Sequence, residues 1–236
     1  MPWTWSDKSH RYHDSATGRF MGKAEVLGYV QNSLDSARTA PASTLVGGVN
    51  SAGTDLLSNL VSNGMMNPRD WHEMMREEIK REYVRLYMIG RGGKGSMTSV
   101  DWGSIGGMLV EQYHGKKTHK GLDGFYAAVR AGNLSEGQIR ARAAMYANSA
   151  REAFERGKAR ANADATEVIW ELGPVKTEHC LDCEALAALG WQLIADDPFD
   201  GAYPCSGATQ CLTNCKCSLD YRQGEVIEEP GIGVGE

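Results

Sequence analysis

Cys180 and Cys183 stand with two residues between them in HCLDCEAL, and Cys211, Cys215 and Cys217 crowd into CLTNCKC. Cys205 lies between the two groups, and the first 179 residues hold no cysteine at all. A two-residue gap lets consecutive cysteines turn both sulfurs toward one ion, and a structural zinc site takes four tetrahedral thiolate or imidazole ligands. Cys180 and Cys183 have that gap. Cys215 and Cys217 are two apart, so on a strand their side chains share a face, and the two pairs make a complete set. Cys211 competes for a place from the preceding turn, His179 is a weaker candidate, and Cys205 is the spare. Which four of Cys180, Cys183, Cys211, Cys215 and Cys217 bind the metal stays open. The plainer reading is a set of buried thiols or an opportunistic disulfide. An iron–sulfur cluster would use the same ligands, but nothing else in the chain points to electron transfer. Four cysteines close the coordination sphere of a structural Zn2+ and leave no position for a catalytic water.

Three other stretches carry residues with chemistry. GRGGKGS at 90–96 combines glycines with a lysine, as phosphate-binding loops do. It lacks the Walker spacing and follows a helix rather than a strand, so it reads as a helix-ending turn. His10, His13 and Asp14 could form a metal or acid–base group, although histidines in an exposed arm are more often solvated or packed. Between Gly115 and Arg160 basic residues outnumber acids, through Lys116, Lys117, Lys120, Arg130, Arg140, Arg142, Arg151, Arg156, Lys158 and Arg160. Such a run is usually a solvated helical face, with DNA phosphates or an acidic partner as the minority reading. Spacing supports no paired carboxylates and no nucleophile–base set. Neither catalytic residues nor a small-molecule substrate is expected.

The elements that must position the cysteines are mostly helical. With 236 residues, 42% of them apolar, the chain can build one large or two small cores. Its net charge of −5 makes the whole molecule no electrostatic magnet for nucleic acid or an acidic membrane. The N-terminus lacks the apolar region of a secretory signal and no apolar run approaches the ~18 residues of a membrane span, so a soluble protein made in the cytosol is expected. Residues 1–22 read as an extended arm or small hairpin. Its aromatics Trp3, Trp5, Tyr12 and Phe20 are candidate anchors for a partner, the alternative being that they fold back on the body. A short helix is expected over 23–36, and TAPASTLVGGVNSAG at 39–53 reads as a loop or hinge.

Asn67 in N-cap position, Pro68 behind it and Gly90 at the end bound an amphipathic helix whose stripe is Trp71, Met74, Met75, Ile79, Tyr83 and Leu86. Further helices are expected over 101–113 and 122–129. A fourth opens with the capping box Ser135/Gln138 and carries Ile139, Ala143, Tyr146, Ala150 and Phe154 on one face. After residue 165, EVIWELG and CKCSLDYR read as strands around a turn-rich cysteine region. The expected fold is therefore mainly α: an arm over 1–22, a helical bundle over 23–164, a β-rich zinc module over 165–222 and a flexible acidic tail over 223–236.

The order of five blocks suggests a family. YHDSATGRFMGKAEV, then GRGGKGSMTSVDWGSIGGMLVEQY, LSEGQIRARAAMYANSAREAFERG, HCLDCEALAALGW and CSGATQCLTNCKCSL resemble the minor head proteins of tailed bacteriophages, in the Mu-like head-morphogenesis group. The resemblance touches most of the chain, and the order is more specific than any one block. It implies a virion component, assembled in the host cytoplasm, that acts in head assembly near the portal without enzymatic activity. The portal protein and the major capsid protein are the partners it implies, with packaged DNA a weaker third through the basic stretch. Cys180, Cys183, Cys211, Cys215 and Cys217 fall on matching positions. The family often has a PG pair before its last cysteine group, where YPCSGATQC has Cys205 in the glycine's place. The same architecture would also suit a zinc-containing regulator that binds nucleic acid.

Overall fold

The structure, a computed structural model, describes residues 3–6, 8–14, 17, 19–39, 52–115, 120–174 and 179–224. Residues 40–51 of the expected hinge, Lys116 and Lys117 of the basic run, and residues 225–236 of the expected tail lie outside the described residues. The chain begins with a three-stranded antiparallel meander, β1 (Trp3–Ser6), β2 (Arg11–Asp14) and β3 (Phe20–Met21), in the order β1-β2-β3. Trp5 stands opposite Tyr12, and Tyr12 opposite Met21. The Trp3 indole donates to Met65 O at 3.0 Å. Tyr12 Oη donates to Asp70 Oδ2 at 2.8 Å and accepts from Asn67 Nδ2 at 2.9 Å.

Both aromatic bodies are buried in the main core while their polar ends find partners there, as such side chains require. The extended arm is thus corrected to a folded meander, and Trp3 and Tyr12 to core residues rather than partner anchors. Trp5 is half-buried against Tyr12, with ring centroids 5.0 Å apart. Of the four aromatics only Phe20 stands in solvent, 52% exposed beneath the Arg11 guanidinium.

Helix α1 (Lys23–Thr39) follows directly and buries Val26, Val30 and Leu34, and α2 (Ala52–Ser62) was not expected from the sequence. Helix α3 (Pro68–Gly90) starts as predicted: the Asn67 side chain accepts from Asp70 N at 2.9 Å and Pro68 holds the first turn. Trp71, Met75, Ile79, Tyr83 and Leu86 are buried along it. Helix α3 packs against α2 and against α4 (Ser99–His114), α5 (Gly121–Arg130), α6 (Glu136–Ser149) and α7 (Arg151–Ala161). None of the helices among the described residues is long and apolar enough to cross a membrane.

The single helix expected from Ser135 through Phe154 is two. Its start is as expected, with Gln138 N donating to Ser135 Oγ at 3.3 Å and Ser135 N to Gln138 Oε1 at 2.8 Å. At its far end Ser149 Oγ donates to Tyr146 O at 2.8 Å, the Tyr83 hydroxyl donates to Ser149 at 3.0 Å, and Ala150 closes α6 and opens α7. The break sets α7 along α3 at a distance only glycine allows. A methyl at Gly90 would lie 2.1 Å from Phe154 O, and one at Gly157 would lie 2.4 Å from Tyr87 O.

Beyond α7, β4 (Glu167–Glu171) is the middle strand of a second antiparallel sheet, between β5 (Gln192–Leu193) and β6 (Ser218–Arg222). Helix α8 (Leu181–Ala188) packs on β4. Val168, Trp170, Phe199 and Leu219 join the cysteines in a core separate from that of the bundle.

The glycine contact yields a paired expectation. Gly157→Ala forces α3 and α7 apart and lowers stability by about 2 kcal/mol or more, a drop of roughly 5 °C in the thermal midpoint. Gly106→Ala, on α4 where an added methyl meets nothing within 4 Å, raises stability by about 0.5–1 kcal/mol through helix propensity. Thermal unfolding of the two variants checks this, and equal shifts would contradict the close approach.

Candidate metal centre

Two short local structures bring the sulfurs together. Cys180 occupies the N-cap of α8 with extended backbone, which places Cys183 in the first helical turn and buries it. The return segment makes a short 3-10 turn over Leu212–Asn214, with Leu212 in a left-handed conformation, and delivers Cys215 and Cys217 just before β6. Among the described residues two groups of three could hold a metal ion: Cys180, Cys183 and Cys211, and Cys183, Cys215 and Cys217. Within each group the sulfurs lie within 4.8 Å of one another.

Cys183 belongs to both groups. Its Sγ stands 3.6 Å from that of Cys211 and 3.6 Å from that of Cys215. Four thiolates each about 2.3 Å from one ion are separated by about 3.8 Å, so both distances suit neighbouring ligands of a tetrahedral centre. All six cysteines are free thiols. The five expected ligands converge, while His179 is half-buried and outside both groups. Cys205 is also outside them, buried, with its thiol donating to Cys215 O at 3.1 Å.

The electrostatics of the crowded thiols favour a cation. Burial alone would raise Cys180, but the backbone N–H of Cys183, the Cys183 thiol and the corresponding groups of Cys211 donate to it and hold it below the usual thiol range. Burial pushes the Cys183 thiol up, and the neighbouring sulfurs push it further. Cys215 is pushed up to about 11, first by its hydrogen bond with Cys205. Cys217 is raised chiefly by its hydrogen bond with Cys215. Without a metal the raised thiols of Cys183, Cys215 and Cys217 favour their protonated form. A divalent cation bound there would replace those protons, and its binding free energy would be folding free energy for the residues that carry the sulfurs.

Helix α7 holds the return segment in place. Among the described residues strand β6 pairs with β4 on one side only, and side chains of α7 cover its other edge. Arg151 donates to Cys215 O at 2.6 Å and to Cys217 O at 3.4 Å. Lys158 Nζ donates to Leu219 O at 2.5 Å and pairs with Asp220 at 2.6 Å, while Leu219 N donates to Glu155 Oε2 at 3.1 Å. Positions 151, 155 and 158 share one helix face, so one row of charged side chains takes the place of a missing strand. Burial pushes the Glu155 carboxyl up to about 7. Arg156 lies over the Tyr203 ring at 4.5 Å, and Asn148 donates to Asn214 at 2.9 Å.

These α7 residues carry structure that the sequence showed only as a basic run. Arg140 pairs with Glu136, Arg156 with Glu152 and Arg160 with Asp101, and Arg142 lies over Phe125. GRGGKGS forms a turn between α3 and α4, with Gly92 and Gly93 at φ of 89° and 108°. His10, His13 and Asp14 lie in or beside the meander and join no metal-holding group among the described residues; His13 Nε2 meets Ser9 Oγ at 3.1 Å. Compared with known proteins, the chain matches no protein-family model, no curated protein and no solved structure.

Because Cys183 joins both groups, Cys183→Ser is expected to remove the bound metal and unfold the segment around it. Cys205→Ser keeps a hydroxyl donor for Cys215 O and is expected to retain the metal. Elemental analysis of the two purified variants beside the wild type checks this. Equal metal loss in both would contradict the special place of Cys183.

Proposed function

We propose that the cysteine cluster holds one structural Zn2+, and that the chain is a non-enzymatic minor head protein of a tailed bacteriophage that acts in capsid assembly near the portal. What carries the assembly reading is the order of the five sequence blocks along most of the chain. The zinc reading is supported by an all-sulfur donor set at tetrahedral-edge spacing. Such a set saturates the ion, and its work is to pin a rigid surface rather than to activate water.

The portal protein and the major capsid protein are the proposed neighbours. A nucleic-acid-binding regulator is the less favoured reading. The cations it would need at Arg140, Arg151, Arg156, Lys158 and Arg160 are engaged with carboxylates and carbonyls of the chain itself.

Mass spectrometry of purified virions and of assembly intermediates tests the proposal. The protein is expected at low copy in both, sedimenting with capsids and portal, and its deletion is expected to reduce the yield of DNA-filled heads. Particles that lack it, with normal numbers of filled heads after deletion, would overturn the reading. Steep salt-dependent DNA binding by the isolated protein would then favour the regulator.

A further inference from the structure

Helix α8 faces two ways. Cys183 turns inward to the sulfur cluster, while Leu181, Ala185 and Ala188 fall on the opposite side at helical spacing, with Leu189 beside them. All four are exposed, Leu181 at 70% and Leu189 at 49%. Leu193, 52% exposed, follows directly in the chain. Helix α8 already turns Cys183, Leu186 and Ala187 to its own core; the row of Leu181, Ala185, Ala188 and Leu189 is a second apolar face left in solvent, with small alanines between the leucines that let another helix come close.

Arg222, which lies over the Trp191 ring at 4.2 Å, is paired with Glu167, and along the chain that carries this row the charge has one sign. From His179 through Cys215 the chain has no lysine and no arginine, while Asp182, Glu184, Asp196, Asp197 and Asp200 all lie in that span. Among the described residues none of these carboxylates forms an ion pair, and Glu184 flanks the apolar row on α8 itself. A second copy of the same face would set like charges against one another, and an anionic lipid surface or a nucleic acid would be repelled.

We propose that the outer face of α8 is a docking surface for a basic amphipathic helix of a partner protein. The partner's apolar residues cover Leu181 and Leu189 across the alanine gap, and its lysines or arginines meet Glu184 on the same helix. Apolar contact supplies the hold, and the acidic surround supplies steering and sign selection. The surface rests on exposure and charge, so its failure would leave the zinc and head-assembly proposals as they stand.

The test titrates the full chain, with its metal, into a labelled synthetic helix of leucine and lysine in amphipathic register, and into a leucine–glutamate counterpart, read by fluorescence anisotropy. The leucine–lysine peptide is expected to bind and to weaken as salt rises, and the leucine–glutamate peptide is not. Leu181→Ser with Leu189→Ser weakens binding about tenfold or more, and Glu184→Gln weakens it about threefold. Ala185→Lys fills the gap with a like charge and gives an independent loss, with metal content and circular dichroism unchanged throughout. The proposal is overturned if the double serine variant binds as tightly as the wild type, which would leave charge alone. It is equally overturned if both peptides bind alike or neither binds, or if sedimentation shows a dimer of this chain that Leu189→Ser dissociates.

Discussion

The Cys183 sulfur lies 3.6 Å from two other sulfurs and belongs to both groups of three, so one atom links the two sulfur groups that helix α8 shares with the segment returning into β6. Five thiols cannot gather there as thiolates without a counter-charge, and burial raises the cost of each negative sulfur. A cation at their centre turns mutual repulsion into shared coordination. The short sheet and α8 bury few large apolar residues of their own, chiefly Val168, Trp170, Phe199 and Leu219. A core of that size would gain a large part of its stability from a metal held by these cysteines.

The bundle supports the same point from outside. Gly90 and Gly157 let α7 lie against α3, and α7 then presents Arg151, Glu155 and Lys158 to the free edge of β6. Two of the carbonyls held this way belong to Cys215 and Cys217. The position of two of the five converging sulfurs thus depends on a helix–helix contact in a different core. Burial of Glu155 raises its carboxyl to about 7. That carboxyl therefore favours the docked state while protonated, and its contribution is lost as pH rises from its ordinary carboxylate range through about 7.

What could be read in the sequence is what local chemistry specifies. Asn67 and Pro68 open α3, Ser135 and Gln138 open α6, and the CxxC at 180–183 and the CLTNCKC stretch at 211–217 mark the five cysteines that converge, because each signal acts over a few residues. The remainder depends on partners far away in the chain. Tyr12 reads as an exposed aromatic until its hydroxyl meets Asp70, 58 residues on. The break at Ala150 is invisible in an apolar period that continues across it; what fixes it is Tyr83 reaching Ser149 from α3. Arg151, Glu155 and Lys158 look like ordinary surface charges, and only the unpaired edge of β6 gives them their task. Helix α8 was hidden because its cap is itself a candidate ligand, Cys180.

X-ray absorption at the zinc edge of protein purified without chelator tests the central claim most directly. One zinc per chain surrounded by four sulfurs at about 2.3 Å is the result the account predicts. Nitrogen or oxygen neighbours at about 2.0 Å in place of two or more sulfurs, or protein that holds no zinc, would contradict it.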